Sequence, residues 1–139
     1  PYVRKHYDSG NMQALQKTAT GKGIVWLSII SSAPGKQGHV SGAEANRLTS
    51  SRNAAPTAVL LDESGEIGRL YGAKTTPHMY IIDEGGELVY MGGIDSIPST
   101  DTNDISRASN YVDAALNALS SGQRIEDAVT RPYGCSVKY

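Results

Sequence analysis

The order of elements predicts an α/β sandwich built on a mixed sheet. Three observations carry this. Residues 24 to 30, "IVWLSII", form an unbroken β-branched and aromatic run of the kind parallel sheets bury. Two further apolar runs, "TAVLLD" and "HMYIID", alternate with stretches of helical spacing. The last of them leads through "EGGE" into "LVYMGGID", which reads as a hairpin because Gly85 and Gly86 supply the backbone angles of a tight turn.

In chain order, "PYVRKHYDSGNMQALQKTA" places Val3, Tyr7 and Leu15 at helical spacing, and Gly10 weakens the middle by up to about 1 kcal/mol, so a kinked helix is expected. Pro1 suits the first helical position, where its missing N–H would be unbonded in any case. Strand 24–30 comes after the "GKG" breaker, with Trp26 in its buried interior. "SSAPGKQGHV" is a loop, and Ser41 and Glu44 have the spacing of a capping box that opens a helix over about 42–52. "TAVLLD" is a short strand, and "ESGEIGRLYGA" is a turn with a short helix. After the hairpin and the polar loop "SIPSTDT", residues Ile105, Val112, Ala115, Leu116 and Leu119 form a helical stripe that stops before Gly122. The tail "RPYGCSVKY" carries Cys135, the only cysteine.

Composition narrows the function. The 139 residues suit one domain over 1–139, and 39% hydrophobic against 19% charged residues is enough for an ordinary core. A net charge of -1 and a pI near 6.3 supply no field for gripping nucleic acid or a membrane surface, and neither partner is expected. No apolar run approaches the roughly 18 to 20 residues that span a bilayer. One cysteine excludes an internal disulfide framework and a Cys-rich zinc site. His6, His39 and His78 have no metal-ligand spacing, and the Gly21/Gly23 pair precedes a strand instead of coming after one, so neither a metal nor a dinucleotide cofactor is expected.

The stretch "TAVLLDESGEIGRLYGAKTTPHMYIIDEGGELVYMGGID", with its "DxxGxxxxxYGxxxTP" pattern joined to a hairpin, resembles the thioredoxin-like superfamily. Within it, the resemblance is to the redoxin branch, which holds peroxiredoxin-like (AhpC/TSA) proteins and thiol:disulfide oxidoreductases. It implies a three-layer sandwich in which Thr76–Pro77 is a cis step facing a reactive cysteine, with Thr76 offering its backbone to a peptide or thiol substrate. In this family the cysteine stands immediately before the first helix, in a "CPxx" or "CxxC" turn, and "PYVRKHY" resembles the residues on the C-terminal side of that cysteine. A cysteine just before Pro1 is therefore expected, with Val3 in the place of a second one. Cys135 then becomes the candidate resolving thiol, Gly134 letting its backbone come close. The resemblance further implies a central strand upstream of residue 1, between strands 24–30 and 79–82.

The chemistry behind such a layout is general. A helix N-terminus carries about half a positive charge and unbonded N–H groups, which favour thiolate over thiol. A thiolate there attacks a peroxide or a disulfide, and a second thiol resolves the product. The expected function is thus an antioxidant oxidoreductase that takes a peroxide or disulfide and is recycled by a thiol reductant such as a thioredoxin-type protein. A redox-inactive thioredoxin-like binding module is the alternative. For several residues a plainer role stands beside the chemical one. Cys135 could be a free surface thiol, His6 and the Arg4/Lys5 pair an ordinary solvated helix face, and Trp26 core.

Overall fold

Gly10 decides where the first helix ends. The computed structural model describes residues 1–139, and in it Gly10 takes φ 80, a left-handed angle that a glycine reaches at no steric cost. The expected kinked helix is therefore two: α1 (Tyr2–Asp8) and α2 (Asn11–Gly21). Pro1 is the N-cap of α1 rather than its first residue, one position earlier than expected. The later elements are β1 (Leu27–Ile30), α3 (Gly42–Ser51), β2 (Ala58–Leu61), α4 (Glu66–Leu70), β3 (Thr75–Thr76), β4 (Met79–Ile82), β5 (Leu88–Gly92), a 3₁₀ turn at Thr102–Asp104, α5 (Tyr111–Ser120) and β6 (Cys135–Ser136). The fold is mixed α/β.

The strands form three two-stranded pairs, β1–β2, β3–β6 and β4–β5, where one mixed sheet was expected. The chain also divides into two compact units, one of residues 1–9 and 74–135, the other of residues 10–73 and 136–139.

In the second of these units, β1 and β2 run parallel, Leu27 opposite Ala58 through Ile30 opposite Leu61. The ladder starts at Leu27 because residues 24–26 are spent leaving α2: the Ile24 amide donates to the Ala19 carbonyl at 3.0 Å, and the Trp26 amide to Thr57 Oγ1 at 2.9 Å. The expectation of a strand over 24–30 buried on both faces fails here, since Leu27 is 49% and Ile29 42% exposed and Trp26 is only half-buried. The Ser41 cap of the expected box forms, with the Glu44 amide donating to Ser41 Oγ at 3.2 Å. Asp62, just after β2, is buried and accepts from the amides of Ile67 (3.2 Å) and Gly68 (2.9 Å) at the start of α4 and from the Ser31 hydroxyl at 2.7 Å. Burial would push this carboxyl up, but those hydrogen bonds outweigh it and hold it below the usual carboxylate range. Met12, Leu15, Ala19 and Ala45 make the core of this unit.

In the other unit, β4 and β5 are antiparallel, Met79 opposite Gly92. Their turn is organised by Asp83, whose Oδ1 accepts from the amides of Gly85 and Glu87, both at 2.9 Å. The core is Tyr90, Ile94, Val112, Ala115 and Leu116. The α5 stripe falls as expected except for Ile105, which lies outside the helix, beyond the 3₁₀ turn. Asn110 caps the helix by accepting from the Asp113 amide at 3.0 Å.

Candidate functional site

After α5 the chain turns back along β5. The Met91 amide donates to the Ala128 carbonyl at 2.9 Å and the Thr130 amide to the Met91 carbonyl at 3.1 Å, so this part of the tail runs beside β5 like a further strand. Gly92 and Gly93 permit the approach: a Cβ at either would collide with Thr130 or Arg131. The Thr130 hydroxyl accepts from the Gly93 amide at 3.0 Å and meets the Tyr90 hydroxyl at 2.7 Å.

This path brings the tail to the Thr76–Pro77 step. β6, which begins at Cys135, pairs with β3, Thr75–Thr76, and the next peptide bond, Thr76–Pro77, is cis, the isomer the resemblance implies. Gly134 makes the contact possible. Its φ is 149, and a Cβ there would stand 2.7 Å from the Thr76 carbonyl carbon, so no other residue fits without moving one strand off the other. Thr76 is exposed, and Pro77 and Cys135 are half-buried. The Thr75 hydroxyl donates to the Pro77 carbonyl at 2.7 Å. His78 Nδ1 accepts from the Lys74 amide at 3.2 Å, which leaves the ring proton on Nε2, and the ring stacks on Tyr80 at 4.6 Å. Burial, and then the Lys74 charge, hold His78 below the usual histidine value.

At the start of α1, it is Tyr2, between Pro1 and Val3, that meets the segment leading to Cys135. Pro1 is exposed and Val3 half-buried. Tyr2 packs edge-on against Tyr133, two residues before Cys135, with ring centroids 5.9 Å apart. One turn further along, Lys5 and His6 are 1% and 0% exposed. The solvated helix face expected for both is therefore corrected: the 3.6-residue period carries them inward onto Tyr133 and Asp95.

The arrangement they make is a closed hydrogen-bond set. The Tyr133 hydroxyl donates to Asp95 Oδ1 at 2.6 Å. Having one proton and two lone pairs, it accepts from Lys5 Nζ at 3.2 Å and meets His6 Nε2 at 3.0 Å, where the imidazole must be the donor. Lys5 Nζ also donates to the Ile97 carbonyl at 3.0 Å and lies 4.0 Å from Asp95 Oδ2, a buried oxygen with no hydrogen-bond partner. Burial drives the His6 pKa down to about 4, the Asp95 charge opposing and the Lys5 charge adding, so His6 is neutral at ordinary pH. Burial, with the Asp95 hydrogen bond and charge, pushes the Tyr133 phenol far up. Sequence reasoning missed Tyr133 and Asp95. Their partners lie 38 to 128 residues away, so no local pattern in the sequence joined them.

No family model matches the chain, and no curated protein matches it. Solved structures do match it, among them the following two. A crystal structure of an uncharacterized conserved protein from Geobacillus kaustophilus is 26% identical, with a TM-score of 0.78 over 100% of this chain and 71% of that one. A crystal structure of a hypothetical protein from Sinorhizobium meliloti 1021 is 19% identical, with a TM-score of 0.79 over 100% of this chain and 73% of that one. The likeness establishes the mixed α/β fold.

Proposed function

We propose that the chain is a thioredoxin-like redoxin whose reactive thiolate belongs to a cysteine immediately before Pro1, with Cys135 as the resolving thiol. The observation that carries this reading is the pairing of the Cys135 strand with Thr75–Thr76, directly ahead of Pro77, in the same compact unit that holds Pro1 and α1. A lone tail thiol has no structural need of a glycine-dependent contact with a backbone carbonyl. A thiol that must meet a second sulfur needs its strand fixed.

The chemistry balances with two thiols and one oxidant. The thiolate attacks the peroxide O–O bond, becomes a sulfenic acid and releases an alkoxide, which takes a proton to leave as alcohol or water. The Cys135 thiol then attacks the sulfenic sulfur, forming a disulfide and releasing water. With a disulfide oxidant, the first step gives a mixed disulfide and a free thiol, and Cys135 displaces the second thiol. A dithiol reductant of thioredoxin type supplies two electrons and two protons to restore both cysteines. Thr76, exposed beside Pro77, would offer its backbone to the substrate.

The test uses the protein with the residue preceding Pro1. After one equivalent of peroxide, intact mass should show the loss of two hydrogens, with both thiols lost together. Cys135→Ser should stop at the sulfenic acid and lose turnover with the thiol reductant. Unchanged turnover in Cys135→Ser, with no intramolecular disulfide in the parent, would remove Cys135 from the mechanism. A residue other than cysteine before Pro1 would turn the assignment to a binding module gripping an extended partner at the Pro77 face.

A further inference from the structure

We propose that Tyr133 is a positioning residue, whose hydroxyl, locked among Lys5, His6 and Asp95, holds the Cys135 strand in place against α1 and so sets how fast Cys135 closes its disulfide. This rests on the redox reading above.

A mere structural staple would be built differently. An apolar ring at position 133 would pack against Tyr2 equally well, and replacing a buried ion pair by apolar side chains of similar volume is often neutral or stabilising. The structure instead buries a lysine, a histidine and an aspartate around one phenol, and leaves Asp95 Oδ2 without a hydrogen-bond partner. Burial of that kind needs a reason beyond stability. What the hydroxyl adds is direction. Ring packing restrains distance, whereas three hydrogen bonds to α1 and to the segment after β5 fix the rotation and height of the tail. Only Gly134 separates Tyr133 from Cys135, and Gly134 is itself pinned by its fit against Thr76. The orientation set at Tyr133 therefore passes directly to the sulfur two residues on. The other end of the same cluster is α1, one turn after Pro1. The cluster thus ties together the two chain segments whose sulfurs must meet for the resolving step.

The experiment is Tyr133→Phe in the chain carrying the preceding cysteine, monitored in single turnover with hydrogen peroxide. The substitution keeps the ring and deletes the hydroxyl. Trapping with a 1,3-diketone should show the sulfenic acid forming at the parent rate. Closure of the Cys135 disulfide should slow by about ten-fold or more, because displacing a reacting group by an ångström costs that much or more. A purely structural hydroxyl would lower the melting temperature without separating these two rates, and closure at the parent rate would overturn the proposal. Amide hydrogen exchange at Thr76 and Cys135 gives a readout that does not depend on the redox chemistry. Protection there should fall in Tyr133→Phe while α5 keeps its own, and unchanged protection refutes the anchoring. If the parent chain forms no Cys135 disulfide but exchange still rises in the variant, the redox reading fails and the anchor stands.

Discussion

The two compact units weight burial differently. The unit of residues 1–9 and 74–135 hides ionisable groups: Lys5, His6 and Asp95 are at most 2% exposed, beside an apolar core of Tyr90, Ile94, Val112, Ala115 and Leu116. The unit of residues 10–73 and 136–139 buries the Asp62 carboxyl but leaves more of its large apolar residues uncovered, nine against the four (Ile82, Leu88, Met91 and Val129) of the first unit, among them Leu27 at 49% and Leu60 at 42% on its strands. A strand edge and face that stay apolar in water gain little from the hydrophobic effect, whereas a buried ion cluster contributes mainly geometry. The costly burial is on the side that holds Thr76, Pro77 and Cys135. The two regions should therefore respond differently to the same kind of substitution.

The largest difference is expected at Asp95. Asp95→Ala leaves the Lys5 ammonium fully buried without its ion-pair partner and takes the acceptor from the Tyr133 hydroxyl, which should destabilise the protein by about 3–5 kcal/mol in urea denaturation. The double change Lys5→Met with Asp95→Leu removes both charges and should recover most of that loss. If Asp95→Ala costs less than about 1 kcal/mol, the pair is not desolvated as described and the contrast between the units weakens.

A like-for-like apolar truncation sharpens the comparison. Ile94, 1% exposed, should cost about 3 kcal/mol as Ile94→Ala, through lost transfer energy and the cavity left behind. Ile29, 42% exposed on β1, should cost under about 1 kcal/mol for the same change. Equal costs, measured side by side by chemical denaturation, would mean that the β1 face is covered in solution.

The range of each interaction decides how much of the molecule was legible in its sequence. Ser41 and Glu44 are three residues apart, and the Ser41 cap was readable because both partners lie in one turn. The hairpin turn was readable for the same reason, with Asp83, Gly85 and Glu87 closing it locally. The α5 stripe was readable from its period, though Ile105 was drawn in because a 3₁₀ turn and a helix share similar spacing over a few residues. The β1 run misled, since an apolar sequence states a preference for burial without supplying the neighbour that provides it. The path of the tail depended on Gly92 and Gly93 lying bare beneath Thr130, and glycines in a strand signal close approach without naming the visitor. Of the candidate site, the meeting of Cys135 with Thr76 had a cue in Gly134. The inward face of Lys5 and His6 had none, because a charged pair on a short helix reads as solvated until Tyr133 and Asp95 arrive from the other end of the sequence.

The gentlest probe of the contrast is pH. His6 titrates near 6.5 in the unfolded chain and at about 4 in the folded one, so between those values the unfolded state takes up a proton that the folded state refuses. The sign is therefore fixed: stability is full above about pH 6.5 and declines as pH falls toward 4, by an amount on the order of 1–3 kcal/mol across the window. His6→Gln keeps an N–H able to reach the Tyr133 hydroxyl but carries no titrating group, and should flatten this slope between about pH 6.5 and 4.5 while leaving the steeper loss at lower pH, where carboxylates such as Asp62 protonate. Urea midpoints of the parent and variant, taken at half-unit intervals, should diverge only in that window. Parallel curves would mean that His6 meets water when it gains its proton, and the closed hydrogen-bond set at Tyr133 would then be open on its α1 side.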